Sequence, residues 1–185
     1  QTLIASPLFF ILILVELGMV FFLSARVDKL QPGTATGLFV GYSVLNGVTL
    51  SSIFLAYTHA SIAGTFLVTA GMFAAMAVYG LVTKRDLSGM GSFLFMGLIG
   101  IILASIVNIF LKSSAVYWAI SAIGVLVFVG LTAYDVQRIK NIGEEGIMQQ
   151  GEAAIHKGAI IGALALYLDF INMFLFLLRI FGRRR

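Results

Sequence analysis

Residues 163–182 read ALALYLDFINMFLFLLRIFG, twenty nearly unbroken apolar positions with a carboxylate, Asp169, inside them and a guanidinium, Arg179, close to their end. About 20 such residues span the hydrocarbon core of a bilayer as a helix, the one single-segment form that satisfies its own backbone there. An ionisable group at the centre of such a helix costs about 2.5 to 3.5 kcal/mol on insertion scales, so Asp169 calls for a functional role and a partner.

The rest of the chain is of the same kind. Of its 185 residues, 60% are hydrophobic and 11% charged, and mean hydropathy is +1.04; a soluble domain carries about 25% charged residues. The composition is that of an integral membrane protein. There is no cysteine, which excludes a disulfide framework, a thiolate metal site and a thiol nucleophile. The net charge of +4 is spread between apolar runs and the C-terminus, a pattern that fits a membrane and not nucleic acid. His59 and His156 fall in or beside loops, share no ligand spacing and are expected to be solvated. The chain enters an apolar run from Gln1 without a charged n-region or cleavage site, so an upstream segment is expected.

Six runs are long enough to span: 2–24, 34–57, 61–82, 91–111, 115–136 and 159–181. The loops between them are short, which predicts one all-α domain over 1–185, a compact bundle of six visible transmembrane helices. Tyr57, Tyr79, Tyr117 and Trp118 stand near span ends, where an aromatic belt places them. Gly37 with Gly41 and Gly158 with Gly162 predict close helix contacts, and Asn46, Asn108 and Asn172 predict hydrogen bonds between helices. Arg26, Lys29, Lys84, Arg85, Arg138, Lys140 and Lys157 fall in loops on one side, against Lys112 on the other, so the first side is read as cytoplasmic. The tail Arg183-Arg184-Arg185 opposes this reading, which requires either that the tail be a minor term or that the last run not fully cross.

Four ionisable groups remain in or beside the spans, Glu16, Asp135, Asp169 and Arg179, with Arg26 at the inner end of the first. Ten residues separate Glu16 from Arg26 and ten separate Asp169 from Arg179, about 15 Å in each case at 1.5 Å per residue. The two helices run in opposite directions, so depth alone pairs Arg26 with Asp169 on an inner level and Glu16 with Arg179 on an outer one. Asp135 joins the inner level if tilt, or a break near Gly158 or Gly162, closes a mismatch of about 9 Å. Two carboxylates about 4 Å apart repel by about 4 kcal/mol at an effective dielectric near 20. Such a pair is expected to share one proton near neutral pH and to titrate as a unit. Deprotonated, its oxygens are hard ligands that Ca²⁺ accepts, with water or backbone carbonyls completing the shell. Plainer roles for the same residues are Asp135 beside Arg138 at the interface, Asp169 as glue to a neighbouring helix, and Glu16–Arg179 as a buried ion pair.

Three separated stretches, GVTLSSIFLAYTHASIAGTFLVTAGMF (47–73), GLTAYDVQRIK (130–140) and LYLDFINMFLFLLRIFG (166–182), closely resemble the bacterial branch of the transmembrane Bax inhibitor motif family. The resemblance covers essentially the whole chain. It implies seven helices with the last in the centre, so that one helix would precede Gln1, and a place in the bacterial inner membrane. It also implies a pH-sensitive calcium leak, with Asp135 and Asp169 as pH sensor and Ca²⁺ ligands, Arg26 as their latch, and Glu16 and Arg179 along the pore. The partners this suggests are Ca²⁺, protons, the bilayer and a membrane protein partner; no cofactor and no enzymatic activity are expected. Intramembrane aspartyl proteolysis is the nearest enzyme class, but those proteases resemble a Gly-x-Gly-Asp pattern and no glycine immediately precedes Asp169. Two further functions fit the same residues: a proton-coupled cation exchanger working through the two carboxylates, and a non-transporting regulator of a membrane protease or stress response.

Overall fold

The structure, a computed structural model, describes the backbone of residues 7–26, 29–149 and 151–184, and the side chains of 11–26, 29–144 and 155–184. Residues 2–6 of the first expected span and Arg185 of the tail lie outside the described residues. The helices are α1 (Pro7–Arg26), α2 (Pro32–Leu50), α3 (Ile53–Ala56), α4 (His59–Val82), α5 (Ser88–Leu111), α6 (Ser114–Gln149) and α7 (Gly151–Phe181). Among the described residues five segments are long and apolar enough to cross a membrane: Pro32–Ala56, which joins α2 to α3, then His59–Val82, Ser88–Leu111, Ser114–Glu144 and Ile155–Phe181. Their outer faces are oil, with Phe110 81% and Leu126 70% exposed, the inverse of a soluble surface and what lipid requires.

Local chemistry sets the ends. Pro32 opens α2, where its missing N–H is no loss. Thr58 caps α4 by accepting the Ser61 N–H. At the end of α5 Lys112 turns left-handed at φ 49°, and the Asn108 side chain accepts the Ser113 N–H at 3.0 Å, which makes the connection to α6 tight. Asn46 donates to the Tyr42 hydroxyl and Asn172 to the Leu168 carbonyl, each four residues back on its own helix. The three asparagines therefore satisfy themselves locally, contrary to the interhelical expectation.

The expected loop at 137–158 is largely helical. Hydropathy registers only the apolar part of α6, but the segment beyond Val136 keeps Ile139 and Ile142 on one face, and a β-carbon on Gly162 or Gly158 would collide with those two side chains. Lys140 and Glu144 form an i,i+4 pair at 4.0 Å on the polar face. Gly158 and Gly162 thus make the close contact foreseen. Gly37 does not, having nothing within 4 Å of its β position.

α7 is the central helix. It contributes to three clusters: Met173, Phe176 and Leu177 with α5 and α6, Leu164 with Leu23 of α1 and Tyr42 of α2, and Phe174 and Leu178 with Ile62 of α4. The closely packed pairs are α6 with α7, α5 and α4, α7 with α4 and α2, and α1 with α2; α1 with α5 is not among them. A groove remains between those two.

The C-terminal tail is fixed on the side opposite the basic loops. The Thr58 N–H donates to the Arg183 carbonyl at 3.1 Å, the Arg183 N–H donates to Ser61 Oγ at 3.0 Å, and Arg184 bridges to Tyr57 in an antiparallel pairing. α7 is therefore a complete crossing, and the tail ends beside the Tyr57 turn despite its charge.

Candidate functional site

Asp135 lies on α6 and Asp169 on α7, and the two carboxyl groups stand close enough to interact. Asp169 is 4% exposed and Asp135 half-buried. The second Asp169 oxygen, Oδ2, is buried without a hydrogen-bond partner among the described residues. An ionised carboxylate only accepts, so a hydrogen bond between two carboxyl groups requires one of them to hold a proton.

Close backbone approach brings the acids together. Gly80 of α4 packs on the Ala133 carbonyl of α6, where a β-carbon would also lie 3.1 Å from Val136 Cβ, and Gly162 of α7 admits Ile139 of α6. Asp135 stands between these two contacts. Small residues on both neighbours of α6 thus set its depth and rotation, closing the 9 Å mismatch expected of straight, independent helices.

A second device fixes α6 from the side of the basic loops. The buried Gln137 accepts the Leu87 N–H at 2.9 Å and donates to the Arg85 carbonyl at 2.8 Å, while Lys140 donates to the Leu81 carbonyl at 3.2 Å. The α4–α5 connection is therefore tied to the helix that carries Asp135. Residue spacing does not single out Gln137, and only its position two residues after the aspartate hints at it.

Both aspartates line a cavity of about 1080 Å³ in the groove between α1 and α5, floored by α6 and α7; Ser24, Ser92, Arg138, Asn172 and Arg179 also face it. Among the described residues no group of three or more acidic, histidine or cysteine side chains converges as a metal site. A cation at the pair would meet two carboxyl groups and draw its other ligands from water or backbone oxygen.

The remaining expected partners are placed differently. Arg26 is exposed at the end of α1 and makes no ion pair with another described residue, among which the ion pair is Lys140–Glu144. The cation that acts electrostatically on Asp135 is Arg138, three residues along the same helix. Glu16 accepts a hydrogen bond from the Thr49 hydroxyl and lies close to Tyr42 and Tyr167, which meet edge to face at 5.8 Å. Arg179 stacks instead over Tyr117 and Phe176, 5.6 and 5.2 Å from their ring centres. Neither Arg26 with Asp169 nor Glu16 with Arg179 forms an ion pair among the described residues. Of these residues, Arg179 faces the cavity and Glu16 does not.

The family described as inhibitor of apoptosis-promoting Bax1 matches residues 1–185. The chain belongs to this Bax inhibitor-1-like family. It is 62% identical over 174 residues to the inner membrane protein YbhL of Escherichia coli K12, covering 94% of this chain and 74% of that protein. It is 50% identical over 180 residues to an uncharacterized protein of Borreliella burgdorferi, covering 97% and 77%. A Streptococcus pyogenes serotype M1 protein described as an uncharacterized membrane protein is 44% identical over 170 residues, covering 92% and 72%. With five spanning segments and this kinship, the chain is a multi-pass protein of the bacterial inner membrane.

Proposed function

We propose that the chain is a pH-sensitive calcium leak in which Asp135 and Asp169 hold one proton between them and control cation passage. The observation that carries this reading is a pair of carboxyl groups, close enough to interact, on the wall of one large cavity. With the proton in place the two groups attract. Once it leaves, two charges about 4 Å apart repel by about 4 kcal/mol at an effective dielectric near 20, and either the helices yield or a divalent cation enters between the oxygens. Each outcome couples proton occupancy to ion movement. The chain acts in this reading as a conduit without chemical turnover.

The test is Ca²⁺ entry into liposomes holding the purified protein, recorded with a Ca²⁺ dye and a pH dye across pH 6 to 8. Asp135→Asn and Asp169→Asn each remove the shared proton site and are expected to flatten the pH profile. Unchanged profiles in both single variants sink the proposal. Proton counterflow in fixed ratio to Ca²⁺ would replace the leak with an exchanger using the same two acids.

A further inference from the structure

The helix that carries Asp135 is gripped on two opposite faces. At about 100° per residue, Asp135, Ile139 and Ile142 fall within about 60° of one another on α6. This face meets α7: Asp169 stands across from Asp135, and Gly162 and Gly158 receive the two isoleucines. Gln137 and Lys140 stand about 200° and about 140° around the helix from Asp135. On their face the buried Gln137 accepts the Leu87 N–H and donates to the Arg85 carbonyl, and Lys140 donates to the Leu81 carbonyl.

The connection so held is otherwise bonded locally. The Arg85 N–H turns to Thr83 and the Ser88 N–H to Asp86, while the Arg85 carbonyl and the Leu87 N–H both reach Gln137. Lys84, Arg85 and Asp86 are exposed; Leu87 is buried. An exposed, charged turn is thus joined by one buried amide to the back of the helix whose front carries the acid.

A carboxyl group about 6 Å from the helix axis moves about 2 Å when the helix turns by about 20°. Widening two charges from about 4 to about 6 Å removes about a third of their repulsion, about tenfold in the hold on a shared proton. Little else of ionisable character surrounds Asp135. Arg138 lies on α6 itself, α5 carries no ionisable side chain, and α4 carries only His59 and Tyr79. Tyr134 lies against Gly91 of α5, Tyr167 of α7 turns to Phe39 and Tyr42, and Lys140 pairs with Glu144.

We propose that Gln137 is a positioning residue for the acid pair: by gripping the α4–α5 connection it holds Asp135 against Asp169, so that the tie and the shared proton stabilise each other. This rests on the shared-proton reading above. Coupling between two sites is reciprocal. Loss of the proton loosens the connection, and loss of the tie releases the proton at lower pH.

Hydrogen–deuterium exchange of segment 83–88, measured on the full chain in nanodiscs at pH 6 and pH 8 and corrected for intrinsic rates, tests the first direction. At pH 8 the segment is expected to exchange about tenfold faster in wild type than in Asp169→Asn, where the acids no longer repel, and at pH 6 the two converge. The pH profile of Ca²⁺ flux tests the second. Gln137→Leu should move its midpoint down by about one pH unit, and the milder Lys140→Met should move it less in the same direction. Ile62→Ala, which loosens the packing with Phe174 and Leu178, should leave the midpoint in place. Equal exchange in wild type and Asp169→Asn at pH 8, an unmoved midpoint in folded Gln137→Leu, or an equal displacement in Ile62→Ala each overturns the proposal. Exchange that follows the acid pair in a chain passing no Ca²⁺ retires the leak and keeps this inference; pH-dependent flux with exchange indifferent to the pair does the reverse.

Discussion

Two identical substitutions on one helix are expected to act in opposite directions. Gly80 and Gly71 both lie in α4. A β-carbon at Gly80 would run into the Ala133 carbonyl of α6 and stand 3.1 Å from Val136 Cβ, whereas at Gly71 nothing lies within 4 Å. At position 80 the obstacle is backbone, so relief requires α4 and α6 to move apart, and overpacking of this kind costs about 1 to 3 kcal/mol. Alanine recovers about 0.5 to 1 kcal/mol of helix propensity at either site. Gly80→Ala should therefore lose about 1 kcal/mol net and Gly71→Ala gain up to about 1 kcal/mol. The separation of about 2 kcal/mol corresponds to about 4 to 8 °C in Tm for a chain of this size. Thermal unfolding in detergent micelles followed by far-ultraviolet circular dichroism measures it. Ala133 is two residues before Asp135, so Gly80→Ala should also alter the pH profile of Ca²⁺ flux, which Gly71→Ala leaves intact. Equal stability of the two variants would refute backbone contact between α4 and α6, and with it the account of how Asp135 is placed.

Arg138→Ala should shift the pH profile of flux in liposomes, because Arg138 is the cation acting on Asp135, while Arg26→Ala should leave it unchanged, because Arg26 is exposed and unpaired among the described residues. Gln137→Leu abandons the Leu87 N–H and the Arg85 carbonyl; at about 1 to 3 kcal/mol for each buried polar group left alone, thermal unfolding should register a loss of about 2 to 6 kcal/mol. Gln137→Glu, which keeps the acceptor and loses the donor, should fall between. Outside the membrane, hydrogen bonds from Ser88 hold the Asp86 carboxyl below its ordinary value of 3.8, including one from the Ser88 N–H at 2.9 Å. A carboxylate whose folded value is depressed stabilises the fold above its unfolded value and loses that effect as pH falls through the folded one. Asp86→Asn should accordingly lower Tm at neutral pH and cease to differ from wild type well below pH 3.8.

Much of the architecture is legible because a bilayer permits few solutions. Twenty apolar residues in a row have to be a helix, and the spans at 61–82 and 91–111 fall within α4 (His59–Val82) and α5 (Ser88–Leu111). The same rule fails where its premise ends. Beyond Val136 the chain is no longer oily, and α6 continues because Ile139 and Ile142 find glycines on α7 to pack against, a tertiary cause that hydropathy does not register. The Arg183–Arg184 tail illustrates a related limit: charge bias argues for the cytoplasmic side, but hydrogen bonds to Thr58 and Ser61 and the completed span of α7 fix it opposite.

The site divides along one physical line, between depth and rotation. Counting residues at 1.5 Å gives the level of a side chain in the membrane, and on that coordinate Arg26 falls level with Asp169 and Glu16 with Arg179, while Asp135 stands about 9 Å from Asp169. Which residues face each other depends on the azimuth of each helix around α7, and azimuth is set by which small residues let which backbones approach. Gly80 against Ala133 and Gly162 against Ile139 turn Asp135 toward Asp169. Leu23, Tyr42 and Leu164 pack α1 and α2 against α7, and Glu16 meets Thr49, Tyr42 and Tyr167, while Arg26 is exposed and joins no acid in an ion pair among the described residues. Asp169 therefore faces a second acid where depth alone assigns an arginine, and in the function proposed above a proton held between the two carboxyl groups takes that arginine's place.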